Sequence, residues 1–252
     1  LILLVPILFG CTTEQPDNLE VFPSITLASK HWQESSLPLT FTKTQNRLSH
    51  YHFKKKKLQA ILEQPALYKF RFVLGLKRNT LQITAVGVDY KGRVLAKTRA
   101  SINTKVHQYQ KVINQLKTNS FQYSNTKMNE PIVGKHLLPY KDAYVCIDKW
   151  RNMLQLKHID DFISYNGERI RYFSLKKEVV ATMIAPKNVH AIALFFGLTP
   201  ANKLTTVFLQ KNKKGKLLLH NTSKKSVDSI NQNTSGYIYD FTSPCPDFCD
   251  PD

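Results

Sequence analysis

The feature that most constrains this chain is that part of it echoes another part. "FVLGLKRNTLQITAVGVDYKGRVL" at 72–95 and "LFFGLTPANKLTTVFLQKNKKGKLL" at 194–218 follow one plan. Each has an apolar run, Gly-Leu, a polar turn, a second strand-like run, then Lys-Gly-basic-aliphatic. Gly75 and Gly197 are 122 positions apart, and Gly92 and Gly215 are 123 apart. The similarity extends upstream through Pro65 and Pro186, Phe53 and Phe173, and Trp32 and Trp150, the only two tryptophans. Downstream, "SFQYS" (120–124) is a weaker counterpart of "GYIYD" (236–240). A chain with self-similarity at a long, slowly drifting offset is expected to be built from two like units.

Each unit reads as helix, helix, then strands. In "YKDAYVCIDKWRNMLQL", Ala143, Ile147, Trp150 and Leu154 recur at helical spacing. "LKKEVVATMIA" is a second helix, with Ser174 as its expected N-cap and Pro186 just past its end. "HAIALFFGL" has no polar alternation, as expected of a strand buried on both faces. "LTTVFLQ" follows as its neighbour, and Gly215 closes the next hairpin at a positive φ. The first unit repeats this through helices in "ITLASKHWQES" and "FKKKKLQAILEQ" and strands near 68–76, 80–88 and 93–99. "KVHQYQKVINQLKTNS" (105–120) is a connecting helix with Val106, Tyr109 and Ile113 as its apolar stripe. The expected class is α+β: two tandem helix-helix-strands units whose antiparallel strands pack against helices. Their spans are 25–104 and 138–242, joined by a connecting helix and linker over 105–137.

The ends carry the address. "LILLVPILFG" is ten residues, about 15 Å as a helix, against the roughly 30 Å a membrane span needs. It fits the apolar region of a signal peptide (1–10). Leu8-Phe9-Gly10-Cys11 resembles the lipobox of bacterial lipoproteins, although Phe9 departs from the small or branched residue usual there. The resemblance implies cleavage before Cys11 and acylation of its thiol, with 11–24 as a tether. Two or three acyl chains anchor stably. The missing Met and basic leader imply an upstream piece. The alternative is an apolar N-terminal strand of the folded body.

At the other end, "SPCPDFCDPD" (243–252) places Cys245 and Cys249 with three residues between them, Pro246 the first. An exported chain favours a disulfide between them. A redox pair, or a metal held by Cys245, Cys249, Asp247 and Asp250, are the alternatives. The redox reading has the wrong spacing and no helix to lower a thiol pKa. Cys146 reads as a buried free thiol. The lipobox, the "F-G-L" strand and the Pro-Cys-Pro-x-x-Cys ending together resemble an uncharacterised group of lipoproteins from Bacteroidota. That resemblance implies an address and a cysteine pair, and no activity.

Chemistry is harder to find. No nucleophile-elbow, zinc-protease or phosphate-loop motif occurs, and nothing calls for a cofactor or a metal. His50 and His52 would share one face of a strand, as metal ligands can, but four lysines follow them. Asp160, Asp161 and Glu168 lie near Arg169 and Arg171 and offer either an acid–base pair or a charge-balanced loop. Asp228-Ser229-Ile230 resembles a bacterial O-glycosylation signal. Net charge is +18, with 28 Lys against 8 Arg. For an exported protein the acidic partner this points to is anionic lipid or glycan rather than nucleic acid, and the plainer reading is a solvated lysine surface with no specific ligand. Lys54, Lys55, Lys56 and Lys57 are the densest candidate for anion binding. The combined expectation is a lipid-anchored cell-envelope protein, periplasmic or surface-facing, with a non-enzymatic binding or structural role. The alternatives are an envelope hydrolase or thiol-dependent enzyme, and a binder of anionic glycan or lipid. A protein partner is also open.

Overall fold

A computed structural model describes residues 23–37, 39–155, 159–219, 236–240 and 243–245. The fold is α+β. The order is α1 (Pro23–Glu34), α2 (Leu39–Arg47), β1 (His50–Lys54), α3 (Lys55–Leu62), β2 (Lys69–Lys77), β3 (Thr80–Val88), β4 (Val94–Arg99) and β5 (Ser101–Asn103). Next come α4 (Val106–Thr118), α5 (Asn125–Met128), α6 (Tyr140–Met153), α7 (Asp160–Ile163), β6 (Ser164–Tyr165) and β7 (Glu168–Arg169). The chain closes with β8 (Tyr172–Lys176), α8 (Lys177–Ile184), β9 (Ala191–Leu198), β10 (Leu204–Lys211), β11 (Ile238–Tyr239) and β12 (Ser243–Cys245). Among the described residues no helix is long and apolar enough to cross a membrane.

Two five-stranded antiparallel sheets organise the molecule. One runs β11-β10-β9-β1-β5 and the other β12-β8-β2-β3-β4. Exchanging the two halves of the chain converts one order into the other. The register matches too. Phe70 opposes Gly87 as Ile192 opposes Gln210, and Leu76 opposes Leu81 as Leu198 opposes Leu204. Each sheet takes two strands from the other half, β1 and β5 in one and β8 and β12 in the other, and the joins are β1 with β9 and β8 with β2. Neither half therefore holds a complete sheet, which the expectation of units arranged one after the other did not include.

The borrowed strands also correct the alignment. Lys54 opposes Ala191 as Lys176 opposes Lys69, so β1 and β8 correspond at an offset of 122. Phe53 then matches Leu175, not Phe173. At the far edge, Ile238 opposes Leu209 as Lys97 opposes Val86, so β11 answers to β4 and not to 120–124. Ser174 is not a cap, because it lies inside β8. The helix after each borrowed strand begins at an extended lysine, Lys54 (ψ 134) or Lys176 (ψ 144), with no side-chain cap.

The sheets face each other. Tyr51 and Phe53 of β1, Leu194 and Phe196 of β9 and Phe208 of β10 meet Phe70, Phe72 and Leu74 of β2 and Phe173 of β8 in one apolar cluster. Its centre is aromatic, with Phe72 5.0 Å from Phe208 and 5.7 Å from Phe53. Leu58 and Ile61 of α3, and Val179, Val180, Met183 and Ile184 of α8, belong to the same core. Outside the first sheet, α4 and α6 cover Ala193, Phe195, Val207 and Leu209 with Tyr109, Val112, Ile113, Ala143, Cys146 and Ile147. The glycines of the two Gly-Leu steps have one job. A Cβ on Gly75 would lie 2.9 Å from Cβ of Ala28 on α1, and one on Gly197 3.0 Å from Cβ of Cys146 on α6. Each glycine lets a helix lie directly on its strand.

Candidate anion-binding pocket

The residues singled out in the sequence do not gather. Cys11, Asp228, Ser229, Ile230, Asp247, Cys249 and Asp250 lie outside the described residues. Cys245 is buried on β12 in a small cluster with Val73, Val86 and Tyr172. Cys146 is free and buried, and burial pushes its thiol up to about 11, away from the thiolate needed for reaction. Asp160 and Arg169 form a clamp. Arg169 Nε and Nη2 donate to Asp160 Oδ1 at 3.0 and 2.7 Å, and Nη1 donates to the carbonyls of Trp32 and Ser35. Asp161 and Glu168 are exposed, and the segment between them forms the short hairpin of β6 and β7.

The lysine run diverges. Lys54 ends β1, and Lys55, Lys56 and Lys57 form the first turn of α3, where successive side chains point about 100° apart. Lys55 Nζ donates to the carbonyls of Ala185 (3.4 Å) and Pro186 (3.1 Å), tying α3 to the end of α8. Lys54, Lys56 and Lys57 are exposed.

A different set of lysines does converge. Between α4 and the hairpin after β10 lies a cavity of ≈ 450 Å³. Lys211, Lys214 and Lys216 line one side, and Lys111, Gln108 and Gln115 of α4 line the other. His50, His107, Val112, Gly215 and Leu217 also line it, and among the described residues none of the lining is acidic. Both sides are fixed by local hydrogen bonds. Asn212 Oδ1 accepts from the Lys216 amide (3.0 Å) and the Asn212 carbonyl accepts from the Gly215 amide (2.9 Å), with Gly215 at φ 73°. Asn103 Oδ1 accepts from the Lys105 amide (2.9 Å), and its Nδ2 donates to Gln108 Oε1 (2.7 Å), setting the first turn of α4 against β5.

At the floor, Lys211 is 7 % exposed and His50 4 % exposed. Lys211 Nζ lies 2.9 Å from His50 Nε2, and His50 Nδ1 lies 3.0 Å from Ser49 Oγ. An ammonium has only donors, so Nε2 accepts and the neutral ring carries its proton on Nδ1, toward Ser49. Burial above all, then the Lys211 and His52 charges, pushes His50 down to about 3. Burial also lowers Lys211. His50 and His52 do share a face, with centroids 6.3 Å apart. The lone pair a metal would take on His50 is already occupied by Lys211, and among the described residues no group of three His, Cys, Asp or Glu is placed to hold a metal ion.

This arrangement predicts a pH dependence of known sign. Unfolded His50 takes up a proton as pH falls through about 6.5, while the folded ring resists until about 3. Its contribution is therefore fully present above about pH 6.5 and is lost as pH falls toward 3, at up to about 1.4 kcal/mol per unit. Urea unfolding at pH 7 and pH 5 should show the wild type losing about 2 kcal/mol more than His50→Gln. Equal losses in both proteins would contradict this account of the floor.

Sequence reading missed these lysines because Lys111 and Lys211 are 100 positions apart. The one local signal was the Lys-Lys-Gly-Lys turn, which marks a basic hairpin but not what faces it. No family model, curated protein or solved structure matches this chain.

Proposed function

We propose that this protein is a lipid-anchored component of the cell envelope whose folded body captures an anionic ligand, without catalysing a reaction. The observation that carries the binding half is the cavity between α4 and the β10 hairpin, with four lysines and no carboxylate among the described residues of its wall. Unopposed cations in a concave site concentrate anions. A binding role also suits the floor, where His50 is held neutral by burial and engaged by Lys211 rather than left available as a base.

The address rests on the lipobox at Leu8–Cys11, on the polar tether after it, and on the likeness to Bacteroidota lipoproteins. In that setting Cys245 and Cys249 form a disulfide, and the two halves descend from one duplicated unit whose strands became exchanged. The ligand is an envelope glycan or lipid rather than nucleic acid.

Two measurements test the halves of this reading separately. Intact mass of the protein purified from membranes should show acyl chains on Cys11, and a 2 Da gain on reduction for the tail pair. An unmodified N-terminus would remove the anchor. Calorimetric titration with inorganic tripolyphosphate should show salt-sensitive binding that a Lys111→Met, Lys214→Met, Lys216→Met variant weakens by about tenfold or more. Undiminished binding by that variant would remove the pocket.

A further inference from the structure

We propose that the ligand of this pocket is a phosphorylated sugar, with its phosphomonoester among the lysines and its hydroxylated ring against α4. The inference rests on the anion-capture reading and assigns its chemical class.

Charge comes first. Four lysines face the cavity, with no acid among the described residues that line it. A carboxylate or a sulfate ester brings one negative charge, whereas a phosphomonoester brings about −1.5 to −2 at neutral pH. The cations are all ammonium groups, point charges without the shape preference of a guanidinium fork, so the charge of the anion rather than its shape decides the preference. Lys211 is nine-tenths buried, with one donor engaged by His50, so its remaining donors are held at a fixed place in the floor.

Size comes second. A cavity of ≈ 450 Å³ is within the range of small-molecule sites, far larger than a lone phosphate requires. The wall beyond the lysines is amide-rich. Gln108, Lys111, Val112 and Gln115 follow at steps of three, one and three along α4, which puts them on one side of the helix. Gln108 Oε1 already accepts from Asn103, so its amide NH₂ remains to donate. Val112 and Leu217 supply a small apolar surface beside these amides. Hydroxyls around a ring with an apolar face match that lining, and a simple hydrocarbon does not.

The test is calorimetric titration of the full chain with glucose 6-phosphate, glucose 6-sulfate, inorganic phosphate and glucose. Glucose 6-phosphate should bind at least tenfold more tightly than the sulfate ester or inorganic phosphate, and glucose should not bind. Gln115→Ala, at an exposed helix position, should weaken glucose 6-phosphate severalfold and leave inorganic phosphate unchanged. Lys214→Met should weaken both. Equal affinity for the sulfate ester, or for inorganic phosphate, overturns the phosphosugar while anion capture stands. Failure of every anion, tripolyphosphate included, overturns both. A free phosphosugar and a lipid-borne one share this chemistry. Sedimentation with phosphatidylcholine vesicles containing phosphatidylinositol 4-phosphate separates them: stronger retention than on plain vesicles, competed by glucose 6-phosphate, assigns a lipid-borne source, and retention no stronger than on plain vesicles assigns a free one.

Discussion

Residues 23–104 expressed alone will not give a folded monomer. Co-expressed with residues 105–252, they will be recovered as a one-to-one complex. The reason is the exchange of β1 and β8. Without the second half, β2 loses β8 from its free side and β1 loses β9. Phe70 and Phe72, no more than 2 % exposed in the whole protein, lose Phe208 and Phe173 as neighbours. Exposing a buried Phe costs about 1.5–3 kcal/mol, and several such side chains together exceed the usual net stability of a domain. One escape exists. Since β1 and β8 correspond in register, a second copy of the fragment can lend its own β1 to the place of β8. Whatever folds from 23–104 alone is therefore a dimer, with the internal approximate symmetry turned into a true two-fold. Sedimentation equilibrium combined with urea unfolding decides it. A monomer with a cooperative transition would show that the exchanged strands are dispensable.

The same exchange marks where sequence reading stops. The strands β2, β3, β9 and β10, the turns at Gly92 and Gly215, and the buried face of α6 all follow from local pattern, because periodicity and turn chemistry are local properties. "HYHFK" and "YFSLK" do not declare themselves. Each is five residues, each runs directly into a lysine-bearing helix, and the strands they pair with include one from the other half of the chain. An apolar pattern says that a residue is buried, not against what. The site failed for a related reason. Lys54–Lys57 draws attention by density, but neighbours on a helix turn away from one another. Lys111, Lys211, Lys214 and Lys216 meet only because α4 lies over the outer face of the sheet that ends in the β10 hairpin.

Trp32→Ala will cost about 3–5 kcal/mol, as expected for a fully buried tryptophan. The indole is 0 % exposed, packs 6.0 Å from Phe41, and donates from Nε1 to the Ile170 carbonyl at 2.7 Å. Ile170 stands two residues before β8, so this bond ties α1 to the entry of the strand that the second half lends to the first. Arg169 reinforces the tie by donating to the Trp32 carbonyl while its guanidinium carbon lies 5.7 Å from the indole. Removal of the ring opens a cavity and leaves the Ile170 carbonyl with only the long 3.5 Å contact from Gln33 Nε2. Trp32→Phe separates the two effects. It retains much of the volume and should cost about 1–3 kcal/mol for the lost donor and the smaller ring. Because the chain has two tryptophans, fluorescence of the Trp32→Phe protein reports Trp150 alone, which packs 5.9 Å from Phe196 on β9 in the other sheet. If the halves unfold as one interlocked unit, that signal and circular dichroism will shift together to lower urea. A Trp150 transition left at its wild-type midpoint would mean that the two sheets melt separately, and the exchanged strands would not couple them.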